Sequence, residues 1–318
     1  MKILIFGAGA LGCVVGGFMK KAGHEVILVG RPEMVDAIQR EGLYISGIWG
    51  NHYVPNLPIF TKVQDEWKGQ IDLILLSVKS YDTEQAVRDI LPIISDNTLI
   101  CSYQNGLGNV EKIAEFVGMG RIIPARVIFG SRVLKPGFVQ VTVIAEPTAL
   151  GRLEQGPDET IVRDIAETMN KSGIPTIYTE NIQGLIWAKV AYNSALNPLS
   201  ALLDVPYGKL METEETQMMM KSVIYELYAV AQKKNIPMII PTPEEYIQLL
   251  FYKLIPPTAE HYASMREDLK QGKKTEIDAL NGAIVKIGEE LNIDCPVNRL
   301  LTNLIKAREK MSVKAVQE

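Results

Sequence analysis

Residues 3–31 read ILIFGAGALGCVVGGFMKKAGHEVILVGR, and no other stretch constrains the fold as strongly. An apolar run, Ile3 to Phe6, leads straight into Gly7-Ala8-Gly9-Ala10-Leu11-Gly12. A helical pattern follows to Lys21, and after Gly23 a second apolar run extends from Glu25 to Val29. The spacing predicts a βαβ unit with GxGxxG at its first turn, a context in which the motif is specific for a dinucleotide. Gly7 permits the tight turn, Gly9 lets backbone approach a pyrophosphate, and Gly12 lets the helix pack close to the strand. The N–H groups at the helix start then face the phosphates, whose charge the helix dipole favours. The whole turn, Gly7 to Gly12, is assigned to the cofactor.

The tip of the second strand says which dinucleotide. An NAD site places Asp or Glu there, on the ribose 2′-hydroxyl. Here the strand ends Val29-Gly30-Arg31, with Glu33 two residues on. A guanidinium suits a phosphate in both charge and fork geometry, so NADP(H) is the better reading.

The 318 residues suffice for two domains and a large core. A net charge of −4 and the lack of any Lys/Arg-rich run give no sign of nucleic-acid binding. Cys13, Cys101 and Cys295 form no CxxC pair, and His24, His52 and His261 form no HxH or HxxxH pair. No metal site or disulfide framework is expected, and a reducing, cytoplasmic setting fits. The apolar N-terminus resembles a signal peptide, but the βαβ pattern argues against one. No uninterrupted apolar run is long enough to cross a membrane.

Apolar runs at Ile71–Val78, Thr98–Tyr103 and Ile122–Phe129 read as strands buried on both faces of a parallel sheet. Helical patterns lie between them, at Thr83–Ile93 and Asn109–Val117. Shorter strands are expected at Leu43–Ile48, His52–Val54, Ser131–Leu134, Phe138–Ile144, Thr148–Leu153 and Thr176–Tyr178. Helices are expected at Met34–Glu41 and Asp158–Ser172. The alternation predicts a doubly wound α/β, Rossmann-like domain over residues 1–180. From Asn181 strand signals nearly vanish. Residues 181–318 read as an all-helical domain, with helices near 182–203, 211–235, 242–254, 275–292 and 296–310. This leaves the oligomeric state open, a homodimer included.

Ligands in open α/β sheets bind beyond the carboxyl ends of the strands. Lys79 and Asn105 stand at two such ends. The segment 182–203, IQGLIWAKVAYNSALNPLSALL, is apolar nearly all round, which implies burial. Yet Lys189, Asn193 and Asn197 recur every four residues and drift only about 80° around the axis, forming one polar stripe. A buried lysine between two amides needs a partner, either an anionic ligand or a carboxylate of the same chain. Glu276 is the candidate carboxylate. Thr275 and Asp278 resemble a capping box, which would put Glu276 in a first helical turn. Ser264 and Asp268 add polar groups before that helix. Met218–Met220, Tyr225 and Tyr228 read as helix packing.

Five segments carry a family resemblance: GAGALG at the N-terminus, VKSYDTEQA after the buried strand, QNGLGN at 104–109, WAKVAYNSALNPLSALL at 187–203 and SMREDLKQGKKTEIDALNG at 264–282. Over nearly its whole length the chain resembles the ketopantoate reductases. The resemblance implies an NADP(H)-binding Rossmann-like domain and a helical domain that closes over the cleft, of 6-phosphogluconate-dehydrogenase-like architecture. It implies NADPH-dependent reduction of a small 2-oxo acid, 2-dehydropantoate, to pantoate on the way to pantothenate and coenzyme A. It assigns Lys189 as the catalytic lysine and Glu276 as its supporting carboxylate. Asn193, Asn197 and Ser264 become substrate contacts, Lys79 and Asn105 cleft residues near nicotinamide and substrate, and Arg31 the reader of the 2′-phosphate. The serine segment departs from the family pattern at Arg266 and Glu267. Paralogues acting on other 2-oxo acids share these motifs, and a non-catalytic dinucleotide sensor is a further alternative. The buried stripe speaks against the sensor, since sensing needs no proton donor.

Overall fold

The computed structural model describes residues 1–315. The chain begins with β1 (Lys2–Phe6), α1 (Ala10–Lys21), β2 (Glu25–Val29) and α2 (Pro32–Glu41). Then come β3 (Leu43–Gly47), β4 (His52–Val54), β5 (Ile59–Phe60), β6 (Leu73–Leu76), α3 (Thr83–Ile90), β7 (Leu99–Ser102) and α4 (Asn109–Val117). The strands β8 (Ile122–Arg126), β9 (Phe129–Lys135), β10 (Phe138–Ile144) and β11 (Thr148–Leu150) precede α5 (Glu159–Lys171) and β12 (Thr176–Tyr178). Six helices follow: α6 (Ile182–Leu203), α7 (Glu214–Lys233), α8 (Pro243–Leu249), α9 (Ser264–Lys270), α10 (Asn281–Glu290) and α11 (Pro296–Ala315).

The chain divides into two compact units. The first holds Met1–Asn105 and Asn109–Ile182, the second Gly106–Gly108 and Gln183 onward. In the first unit an eight-stranded sheet runs β12-β11-β8-β7-β6-β1-β2-β5. Strands β5, β2, β1, β6, β7 and β8 are parallel, the doubly wound order, whose direction of growth reverses between β1 and β6. Ile3, Leu4, Ile5 and Leu73–Leu76 are almost wholly buried, as helices on both faces require. The buried strands are shorter than their apolar runs: β6 keeps four residues of Ile71–Val78, although the Asp72 and Ser77 N–H groups on either side still donate to the Lys2 and Phe6 carbonyls at 3.0 Å.

A second sheet, β4-β3-β10-β9, joins the β3–β4 hairpin to the β9–β10 hairpin from ninety residues further on. Its β3–β10 pairing is parallel, Tyr44 opposite Phe138, and the two rings stack at 4.4 Å. Among its described residues the second unit has helices and no strand, and it has its own core, running from Trp187 to Ile305. No described helix is long and apolar enough to cross a membrane.

Candidate functional site

The first functional element is the turn after β1. The Gly7 and Ala8 N–H groups donate to the Val29 carbonyl at 3.0 and 2.8 Å, so the turn is closed by the neighbouring strand. Gly7 sits at φ +113°, and a Cβ there would lie 2.8 Å from the backbone of Ser77 and Val78. Ser77 Oγ donates to the Gly7 carbonyl at 2.8 Å, tying the turn to the end of β6. A Cβ on Gly12 would come within 2.3 Å of the Gly7 carbonyl oxygen, whereas one on Gly9 would meet nothing within 4 Å. The backbone at Gly9 is therefore open to an approaching group. The first intrahelical bond is Cys13 N–H to Gly9 carbonyl, 3.0 Å. That leaves the N–H groups of Ala10, Leu11 and Gly12 without helical acceptors. Ala8 shapes the turn, since its N–H is already used. These features fit a dinucleotide pyrophosphate.

At the tip of β2, Arg31 is exposed and takes the N-cap position of α2. Glu33 lies in the first turn of that helix, where the dipole favours an acid. A Cβ on Gly30 would stand 2.6 Å from the Ala8 Cβ. Position 30 itself therefore takes no side chain without a shift of the Ala8 turn.

The loops after β6 and β7 carry Lys79 and Asn105, and a buried network joins them. Gln104 Nε2 donates to Thr83 Oγ1 at 2.7 Å and to the Val78 carbonyl at 3.2 Å. Thr83 Oγ1 has the Asn109 amide oxygen at 2.9 Å and the Ser80 carbonyl at 2.8 Å as acceptors for its single proton. Asn109 Nδ2 donates to the Asn105 carbonyl at 2.9 Å. Gln104, Thr83 and Asn109 thereby hold the backbone that presents Lys79 and Asn105. Their role escapes sequence reading because polar loop residues look alike until the loops meet.

In the second unit α6 carries Lys189, Asn193 and Asn197, successive members about 6 Å apart along the axis. The helix is fixed from several sides. Buried Tyr246 donates to the Ala188 carbonyl at 2.6 Å, beside Lys189. Tyr207 donates to the Asn197 amide oxygen at 2.8 Å, which leaves the Asn197 NH2 to donate. Pro198 lies inside the helix and withdraws the N–H that the Ser194 carbonyl would accept. Asn281 replaces it: its Nδ2 donates to the Ser194 carbonyl at 3.0 Å and to Asn298 Oδ1 at 2.9 Å. Asn298 in turn donates to Glu226 at 2.6 Å. A proline in a long helical run marks an orphaned carbonyl, a signal that asks for a donor from elsewhere, which the structure finds in Asn281.

Glu276 is nearly buried, and its setting differs from the capping box expected. Thr275 Oγ1 accepts from the Ile277 N–H at 3.2 Å, giving a short 3-10 turn over Ile277–Ala279. The backbone then breaks at Leu280, and α10 begins only at Asn281. Asp278 does not cap: it pairs with Lys306 at 2.5 Å. Glu276 therefore precedes a 3-10 turn, on a segment tied to the middle of α6 through Asn281. Ser264 is exposed in the first turn of α9, and the preceding Ala263 N–H meets Ser200 Oγ at 3.4 Å, one turn beyond Asn197. Arg266 pairs with Asp204 and Glu267 and lies over the Tyr262 ring at 3.9 Å, so it serves structure.

The Met218–Met220 run is not uniformly packing. Met220 is buried, whereas Met218, Met219 and Tyr225 lie on the solvent side of α7, and Tyr228 faces the core. The helix is amphipathic, so three consecutive methionines must straddle its two faces. All three cysteines are free and buried, and burial pushes the Cys13 thiol up to about 12 and that of Cys295 up to about 11. Neither supplies a thiolate nucleophile near neutral pH. Among the described residues no group of three or more His, Cys, Asp or Glu is placed to hold a metal.

The family described as ketopantoate reductase PanE/ApbA matches residues 3–155, and its C-terminal counterpart matches residues 181–309. A 2-dehydropantoate 2-reductase of Aquifex aeolicus (strain VF5) is 43% identical over 314 residues, 99% of each chain. The crystal structure of a PanE/ApbA family ketopantoate reductase from Ralstonia eutropha JMP134 superposes with a TM-score of 0.87 at 31% identity, covering 98% of this chain and 99% of that one. D-mandelate dehydrogenase in ternary complex with NADH and anilino(oxo)acetate gives 0.89 at 30% identity, with the same coverage.

Proposed function

This chain belongs to the ketopantoate reductase family, and we propose that it reduces 2-dehydropantoate to pantoate with NADPH. The observation that carries this reading is the polar stripe of α6, held in register by Tyr246, Asn281 and Tyr207. The cofactor, when bound at the Gly7–Gly12 turn, supplies the hydride that the C2 carbonyl carbon accepts. Lys189 stabilises the negative charge growing on the carbonyl oxygen and delivers a proton to it. Glu276 orients Lys189 and accepts from the substrate hydroxyl. Asn193, the free NH2 of Asn197 and the Ser264 hydroxyl donate to the substrate and fix its angle. Lys79 and Asn105 serve the nicotinamide side. Arg31 reads the 2′-phosphate. Free, buried cysteines accord with a reducing cytoplasm.

The likeness to D-mandelate dehydrogenase favours one second reading, reduction of a bulkier 2-oxo acid at the same lysine. Both are tested by following oxidation of NADPH with 2-dehydropantoate, 2-oxoisovalerate and phenylglyoxylate. Strong preference for 2-dehydropantoate over 2-oxoisovalerate, which lacks the hydroxymethyl group, is expected. Preference for phenylglyoxylate would transfer the assignment to the second reading. Tight NADPH binding without turnover on any 2-oxo acid would leave a sensor.

A further inference from the structure

We propose that Lys62 is a second reader of the 2′-phosphate, acting beside Arg31; this rests on the NADP(H) reading of the site. Strands β2 and β5 are parallel, with Leu28 opposite Ile59 and Val29 opposite Phe60. The ladder continues one step, since the Gly30 N–H donates to the Phe60 carbonyl at 2.9 Å. Arg31 stands two residues past the last paired residue of β2, and Lys62 two residues past that of β5. Paired strands lie about 4.8 Å apart, so two cations leave the same carboxyl edge side by side. Both are exposed, and among the described residues neither side chain has an ion-pair or hydrogen-bond partner.

The backbone at Lys62 is held in place. Gln64 Nε2 donates to its carbonyl at 2.8 Å, and Phe60 packs edge-on against buried Trp67 at 5.1 Å. The acids nearby in sequence, Glu33, Asp36, Asp65 and Glu66, are exposed and form no ion pair with either cation.

Two unpaired like charges at one edge repel, and a dianion between them relieves the repulsion. A phosphomonoester carries close to two negative charges near neutral pH. One guanidinium offsets half of that and fixes geometry by its fork, while an ammonium adds a point charge that needs no set orientation. A diphosphate–ribose without the 2′-phosphate has nothing to place there. Lys62 is therefore a specificity residue and touches no reacting atom.

The test uses the full chain and calorimetric titration with 2′,5′-ADP and with 5′-AMP, which share the adenosine and differ in the 2′-phosphate. Wild type binds 2′,5′-ADP more tightly. Lys62→Ala is expected to weaken 2′,5′-ADP about five- to tenfold, the size of one exposed charge-assisted contact, with 5′-AMP unchanged. Lys62→Arg retains the preference, and raising salt shrinks the Lys62→Ala effect. Equal weakening of both ligands, or no weakening of either, overturns the proposal while leaving Arg31 and NADP(H) standing. A wild type without preference for 2′,5′-ADP overturns the cofactor reading itself.

Discussion

Position 30 shows how one missing side chain lets the strand tip lie against the glycine turn. A Cβ there meets the Ala8 Cβ at 2.6 Å, and Ala8 is pinned by its bond to the Val29 carbonyl. Gly30→Asp, the change that would install an acid at the strand tip, is expected to weaken NADPH and NADH together because the glycine turn must move. Fluorescence titration with both cofactors checks this, and a clean switch to NADH would show that the turn gives way. Lys189 is a separate matter, since its change leaves the turn untouched. Lys189→Ala is expected to lower kcat by about 10²–10⁴-fold, the usual contribution of a positioned acid, with NADPH binding preserved. Near-normal kcat would remove its assigned role.

At the scale of elements the weak point of α6 is the proline, and α10 compensates for it. Asn281→Leu returns the Ser194 carbonyl to the orphaned state in a buried site, at a cost of about 1–3 kcal/mol. Restoring the helical donor with Pro198→Ala should offset part of that loss. Urea denaturation of the single and double variants measures the coupling, and strict additivity would mean that the two groups do not serve the same carbonyl. The end of α6 makes a pH-dependent tie. Arg266 donates to Asp204 and holds its carboxyl below the usual range. The stabilisation is present above the unfolded carboxyl value and is lost as pH falls through the folded one. Asp204→Asn should therefore lower the Tm at neutral pH, with the gap to wild type closing below about pH 4. A gap that persists in acid would assign the loss to packing.

These elements also show what a sequence makes legible. Helix α6 is read to its ends because its apolar run is long and nearly unbroken and Asp204, in the left-handed region at φ +57°, stops it. The β1–α1–β2 unit is equally plain, because its two apolar runs and its turn glycines follow one another in the sequence. The partnership of β3 with β10 is not legible, since pairing across ninety residues leaves no local mark. Glu276 shows a different limit. Thr275 and Asp278 have capping-box spacing, but Lys306 and Glu309 of a distant helix take Asp278 and the Thr275 N–H. Tertiary partners override the local pattern there.

Among the described residues the molecule carries separate hydrophobic cores. Two lie in the first unit, on either face of its sheet, and a third in the second unit, with no buried residue shared among them. The candidate chemistry divides in the same way: the nucleotide turn, Arg31 and Lys62 belong to the first unit, and Lys189, Asn193, Asn197, Ser264 and Glu276 to the second. A ligand that binds only a folded unit stabilises that unit by about 2.7 kcal/mol at a hundred times its Kd. On the proposed reading, the adenine half of the cofactor, offered as 2′,5′-ADP, contacts the first unit alone. In scanning calorimetry it is expected to raise one transition and leave a second in place. A single transition that moves as a whole would mean that the cores unfold together and that nucleotide binding is felt at Lys189 through stability alone. Separate transitions would instead require the substrate to couple the units, so that adding pantoate with NADP+ shifts the second transition where 2′,5′-ADP does not.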